Sequence, residues 1–118
     1  MTRDVRWIGQ RIDAGFSVQC PTLTTTQLLV MEAVHVLPGA AQTQLTAATL
    51  VDRSTLSTVV RHLIEAGFVV RTTNEADQRA YSVDLTKAGR TTLKEARAKL
   101  VKVEKSLVIE AKALAVSW

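Results

Sequence analysis

Between Asp52 and Gly67 the chain spells out one amphipathic helix with a signal at each end, and this limits what can be built around it. Asp52 suits an N-cap, because its carboxylate can accept the free backbone N–H groups of a first turn. At about 3.6 residues per turn, Leu56, Val59, Val60 and Leu63 share one face. Ser54, Ser57, Thr58 and Arg61 share the opposite face, with Arg53 and Ile64 near the boundaries. One face is built to pack and the other to reach. Gly67 fits a left-handed C-cap, and Phe68 just beyond it supplies the hydrophobic contact that often accompanies such an end. Hydroxyls and guanidinium groups hydrogen-bond to base edges and phosphates, and an exposed helix in a basic chain is a common way into a major groove.

Beyond the helix, Val69-Val70-Arg71 and Tyr81 to Leu85 read as two short strands, the second with Tyr81, Val83 and Leu85 on one face. The polar run from Thr72 to Arg79 between them reads equally well as a ligand-binding wing or as a solvated hairpin loop. Upstream, Val5, Ile8, Ile12 and Phe16 set a first helix at about residues 4–17. Pro21 stops it. Thr24 with Gln27 makes a capping box for a second helix, nearly all apolar from Leu28 to Leu37 and expected to be buried, which Pro38-Gly39 ends. A short helix from about Thr43 to Thr49 then completes a helix-turn-helix with 52–66.

Thr86 can cap a last helix, whose stripe runs through Leu93, Ala96, Leu100, Val103 and Leu107 and resumes, shifted, at Ala111, Leu114 and Trp118. A helix of roughly thirty residues spans about 45 Å, more than a short first helix can cover. A second copy of the chain is the economical cover, and a two-fold dimer would present two recognition helices to a pseudo-palindromic site. A tail frayed past Leu107 is the competing reading.

The chain has 118 residues, enough for one domain with a real core. Fifteen Lys and Arg against eleven Asp and Glu give +4, which suits nucleic acid without establishing it. No apolar run reaches the length of a membrane span, and Met1 to Arg6 lacks the apolar core of a signal peptide, so a cytoplasmic location is expected. Cys20 is the single cysteine; it reads either as a redox-sensing thiol or as a small apolar filler before Pro21. His35 and His62 are far apart and have no cysteine or carboxylate at metal spacing. There is no glycine-rich phosphate loop, no Ser-His-Asp order and no carboxylate pair in a plausible cleft. Catalysis, a structural metal and a cofactor are therefore not expected.

From Leu23 to about Leu93 the sequence resembles the MarR family of bacterial winged-helix transcriptional regulators. The matching residues are Leu23 to Gln27, Pro38-Gly39, Gln42 to Leu45, Val51 to Leu56, Leu63 to Val69, Asp77 with Arg79, and Leu85 to Arg90. The resemblance implies a mainly α winged helix-turn-helix with a small β wing. Its DNA-binding core would occupy about 23–86, with dimerisation elements at about 4–17 and 87–118. In that family the second helix of the motif enters the major groove and a wing-tip arginine enters the neighbouring minor groove. By position, Arg53, Ser54, Ser57 and Arg61 take the helix role beside Thr58, Arg79 takes the wing role, and Lys87 and Arg90 hold phosphates. Asp77 would orient Arg79 or the loop, since a carboxylate facing phosphates is repelled. The implied partners are double-stranded DNA, a second copy of the chain, and an unlocated small-molecule effector of the kind many relatives have. Repression is the family's commoner mode.

Three departures from the family pattern carry expectations of their own. Ala41 stands where the family places a capping Thr or Ser, so the short helix should start less firmly. Leu50 stands where the family has Gly, and a leucine at positive φ is costly, so a different turn is expected there. The family completes its dimer with a further C-terminal helix, and after the wing these residues have room for one. A MarR-like scaffold without that helix could instead serve as an antiactivator, docking on another regulator through the apolar stripe.

Overall fold

Periodicity and end signals place the elements of the computed structural model, which describes residues 5–73 and 81–116. In chain order these are α1 (Val5–Gln19), α2 (Thr25–Val36), α3 (Gln42–Thr49), α4 (Arg53–Glu65), β1 (Val69–Thr73), β2 (Tyr81–Leu85) and α5 (Lys87–Val116). The fold is mainly helical, with one small antiparallel sheet. Two compact units divide the chain: Thr26 to Lys94 forms one, and α1 with α5 from Glu95 onward belongs to the other.

In the Thr26–Lys94 unit, α4 begins where Asp52 Oδ2 accepts the Thr55 N–H at 3.0 Å. It ends in a Schellman turn. The Phe68 N–H donates to Leu63 O at 2.9 Å and the Gly67 N–H to Ile64 O at 3.0 Å, with Gly67 at φ +81°. The strands pair in the register Val69 with Leu85 through Thr73 with Tyr81. A third segment joins them. Ala40 O accepts the Val83 N–H at 3.0 Å, and the Asp84 carboxylate accepts the Gly39 N–H at 2.7 Å, which ties the Pro38-Gly39 turn to β2. Around this frame Leu28, Met31, Val34, Leu45, Leu56, Leu63, Val69, Val83 and Leu93 are buried.

Thr86 joins the end of α4 to the start of α5. Its hydroxyl donates to Gly67 O at 2.6 Å and accepts the Gly89 N–H at 3.0 Å, and its own N–H donates to Phe68 O at 3.0 Å. Gly89 is buried against that turn, where a Cβ would come within 1.9 Å of Phe68 O. Glycine is required there by close approach of two backbones.

Three expectations need correction or refinement. Helix α2 is not buried all round: Leu28, Val30, Met31 and Val34 face the core, while Leu29, His35 and Val36 are exposed. An apolar run does not by itself say how many faces its neighbours cover. Leu50 does adopt the left-handed conformation, at φ 56° and ψ 20°, as the C-cap of α3. The turn keeps its polar groups paired there. The Leu50 N–H reaches Thr46 O at 3.0 Å, and the Thr49 hydroxyl donates to Leu45 O at 2.7 Å while accepting the Val51 N–H at 3.3 Å. The leucine side chain is 89% exposed, so the cost is local backbone strain of about 1–2 kcal/mol with no clash in the core. Ala41, as N-cap of α3, has no side-chain acceptor to offer; the remaining half of a capping box is its N–H donating to Gln44 Oε1 at 2.8 Å.

In the other unit, α1 packs closely on α5 at Gly15, where an added Cβ would lie 2.7 Å from Val103 Cγ1. Phe16, Cys20, Leu23, Ala96 and Val103 are buried. Cys20 therefore has the setting of an apolar filler, with its N–H on Phe16 O at 2.7 Å. The α5 stripe is partly covered within the chain: Val103 is buried, and Leu100 and Leu107 are half-buried. Apolar residues left open lie on the other side of α5, with Val101 45%, Val108 51% and Ile109 69% exposed. Among the described residues, no helix is long and apolar enough to cross a membrane.

Candidate nucleic-acid interface

Burial of Leu56, Val59, Val60 and Leu63 seats α4 and turns Arg53, Ser54, Ser57, Thr58 and Arg61 outward, all exposed. The helix start is held by Asp52. Hydrogen bonds from the Thr55 hydroxyl, and then from its backbone, hold the Asp52 carboxyl below its ordinary range. A carboxyl so lowered favours the fold above its unfolded pKa, and that contribution is lost as pH falls through the folded value.

The outward side chains are not equivalent. Thr58 turns its hydroxyl back to Ser54 O at 3.2 Å. Ser57 Oγ accepts from Gln42 Nε2 at 2.7 Å. Arg53 and Arg61 carry their guanidinium groups on the exposed side of the helix. At the foot of the hairpin Arg90 Nη1 donates to Leu85 O at 3.3 Å, and Lys87 is exposed one turn before it. Arg79 and Asp77 lie outside the described residues.

Three participants were not singled out in the sequence for any role at this face. Gln42, at the first turn of α3, takes the Tyr81 hydroxyl on Oε1 and reaches α4 with Nε2. Arg71 of β1 lies over the Tyr81 ring, 4.9 Å from its centroid, a cation–π arrangement that holds a guanidinium at the root of the hairpin. Gln42 and Tyr81 are 39 residues apart. No periodicity links residues at that distance; the one available signal was a polar residue on a short helix next to α4.

The face thus offers guanidinium and hydroxyl donors on a helix, flanked by a hairpin. Donor-rich surfaces of this kind suit phosphate oxygens and the acceptor edges of bases. Among the described residues no three metal-ligating side chains come together.

Comparison with known proteins places this geometry. The sequence model of the MarR family matches residues 22–80, half of the chain. A Thauera aromatica protein described as a transcriptional regulatory protein for the hcr operon is 34% identical over 82 residues, which are 64% of this chain and 49% of that protein. The chain thus spans about half the length of that relative. Among solved structures, Bordetella bronchiseptica BpsR, whose DNA binding is regulated by 6-hydroxynicotinic acid, superposes with a TM-score of 0.79 at 23% identity, covering 97% of this chain and 96% of its own. The transcriptional repressor CouR, bound to a 23-mer DNA duplex, superposes with a TM-score of 0.79 at 22% identity over 96% of this chain and 84% of its own. At these identities both structures speak for the fold.

Proposed function

The chain belongs to the MarR family of transcriptional regulators, and on that premise we propose that it binds double-stranded operator DNA as a homodimer and represses transcription. The observation that carries this reading is the division of α4 into a buried apolar face and an exposed face of arginines and hydroxyls. In this reading Arg53, Ser54, Ser57 and Arg61 meet base edges or flanking phosphates in the major groove, with Thr58 bordering them. Arg79 enters the minor groove from the hairpin, and Lys87 and Arg90 hold phosphates. CouR, a repressor of the same fold, is a DNA-bound precedent. The proposed dimer would use the unit formed by α1 and α5, where Val101, Val108 and Ile109 form an exposed apolar surface.

That same surface supports a second reading, an antiactivator that docks on another regulator. Titrating the purified chain against its own promoter DNA across a salt series separates the two. The DNA reading expects tight binding at low salt and a steep linear fall of log K with log salt, one unit of slope for roughly each phosphate neutralised. Absence of any DNA binding at low salt would overturn it and leave the protein-docking reading.

A further inference from the structure

We propose that Gln42 is a positioning residue of the DNA-reading face, tying the hairpin to α4 and fixing the Ser57 hydroxyl as a hydrogen-bond donor toward the groove. The inference rests on the DNA-binding reading above and adds what one position of α4 can read. A carboxamide has an acceptor end and a donor end, and three neighbours decide which way it faces. Its Oε1 accepts the Tyr81 hydroxyl. Its Nε2 donates to Ser57 Oγ at 2.7 Å and to the backbone carbonyl of Arg53 at 3.4 Å. Either hydroxyl could donate or accept, so each would tolerate the amide turned round. The Arg53 carbonyl only accepts, and it therefore holds Nε2 toward α4.

The same carbonyl also settles where the Ser57 proton goes. A serine in a helix commonly turns its hydroxyl back to the carbonyl four residues earlier, which for Ser57 is that of Arg53. Thr58 does so, donating to Ser54 O at 3.2 Å. For Ser57 the Arg53 carbonyl already receives Gln42 besides its helical N–H partner. Ser57 thus gives a lone pair to Gln42, cannot fold its proton back, and presents the O–H outward on the face that carries Arg61. Base edges that satisfy it are acceptors: guanine O6 or N7, adenine N7 and thymine O4.

Binding-site selection with the full chain tests this, using wild type, Ser57→Ala, Gln42→Met and the double variant. Wild type should prefer an acceptor-bearing base at one symmetric pair of positions. Each single variant should lower that preference about three- to tenfold, the range of one hydrogen bond, with the double no worse than either and other positions unchanged. Gln42→Glu provides a second arm should Gln42→Met fail to fold. Its carboxylate only accepts, which draws the Ser57 proton inward and should move the preference toward cytosine, whose major-groove edge offers an amino donor and no acceptor. Losses that multiply in the double variant, a uniform fall at every position, or a Gln42→Glu motif identical to wild type would each overturn the assignment. A wild-type chain that selects no sequence at all would overturn the DNA reading beneath it, and that result appears before any variant is compared.

Discussion

Helices α4 and α5 are both amphipathic, yet they place their apolar residues differently. On α4 the exposed side carries Arg53, Ser54, Ser57, Thr58 and Arg61, and every large apolar side chain is buried or half-buried. On α5 the stripe at Ala96 and Val103 is buried within the chain, while Val101, Val108 and Ile109 remain open on another side. A polar outer face is at home in water or against a polar ligand. A second apolar face is stable when something apolar covers it. On the reading proposed above, α4 would meet nucleic acid and α5 would meet protein.

The largest expected effect would break the α5 half of this contrast. Ile109 is 69% exposed in the single chain, so Ile109→Glu should leave the stability of a monomer almost unchanged. If a second copy covers it, the buried unpaired carboxylate should cost about 3–5 kcal/mol of dimerisation. Sedimentation equilibrium of wild type and variant reads the difference directly, and equal dimer constants would remove this face from the interface.

Next in size is the joint where α5 starts on the turn that ends α4. Gly89→Ala places a methyl group 1.9 Å from Phe68 O, a clash with backbone that no rotamer relieves. Loss of about 3 kcal/mol in urea denaturation is expected. Wild-type stability for this variant would mean that the two helices are not held together there.

Arg61→Ala tests α4 from its polar side. It removes an exposed guanidinium, so the melting temperature should stay within a degree or two, while operator affinity falls by about 1–3 kcal/mol and preference relaxes at one symmetric pair of positions. An unchanged selected motif would take Arg61 out of the base-reading set.

Smallest is Leu50→Gly, in the turn that leads into α4. Leu50 stands at φ 56° with its side chain in solvent, so glycine relieves the strain and should stabilise the fold by about 1 kcal/mol in the same denaturation assay. Destabilisation would mean that the leucine side chain contributes a contact that outweighs the strain.

Much of the fold was legible because the signals that set it are short. The Asp52 cap, the Gly67 turn and the 3.6-residue repeat of α4 all act within a few residues of one another, so the sequence alone determined the helix, its two faces and both its ends. Tertiary structure alone decided three other things. It covered one face of α2 and left Leu29 and Val36 open, because the number of covered faces depends on neighbours far along the chain. Leu50 was held at positive φ because the Thr46 and Thr49 hydrogen bonds outweigh a local preference. Gln42 met Tyr81 and Ser57 because folding brought together groups 39 and 15 residues apart, and no repeat or cap in the sequence encodes such a meeting.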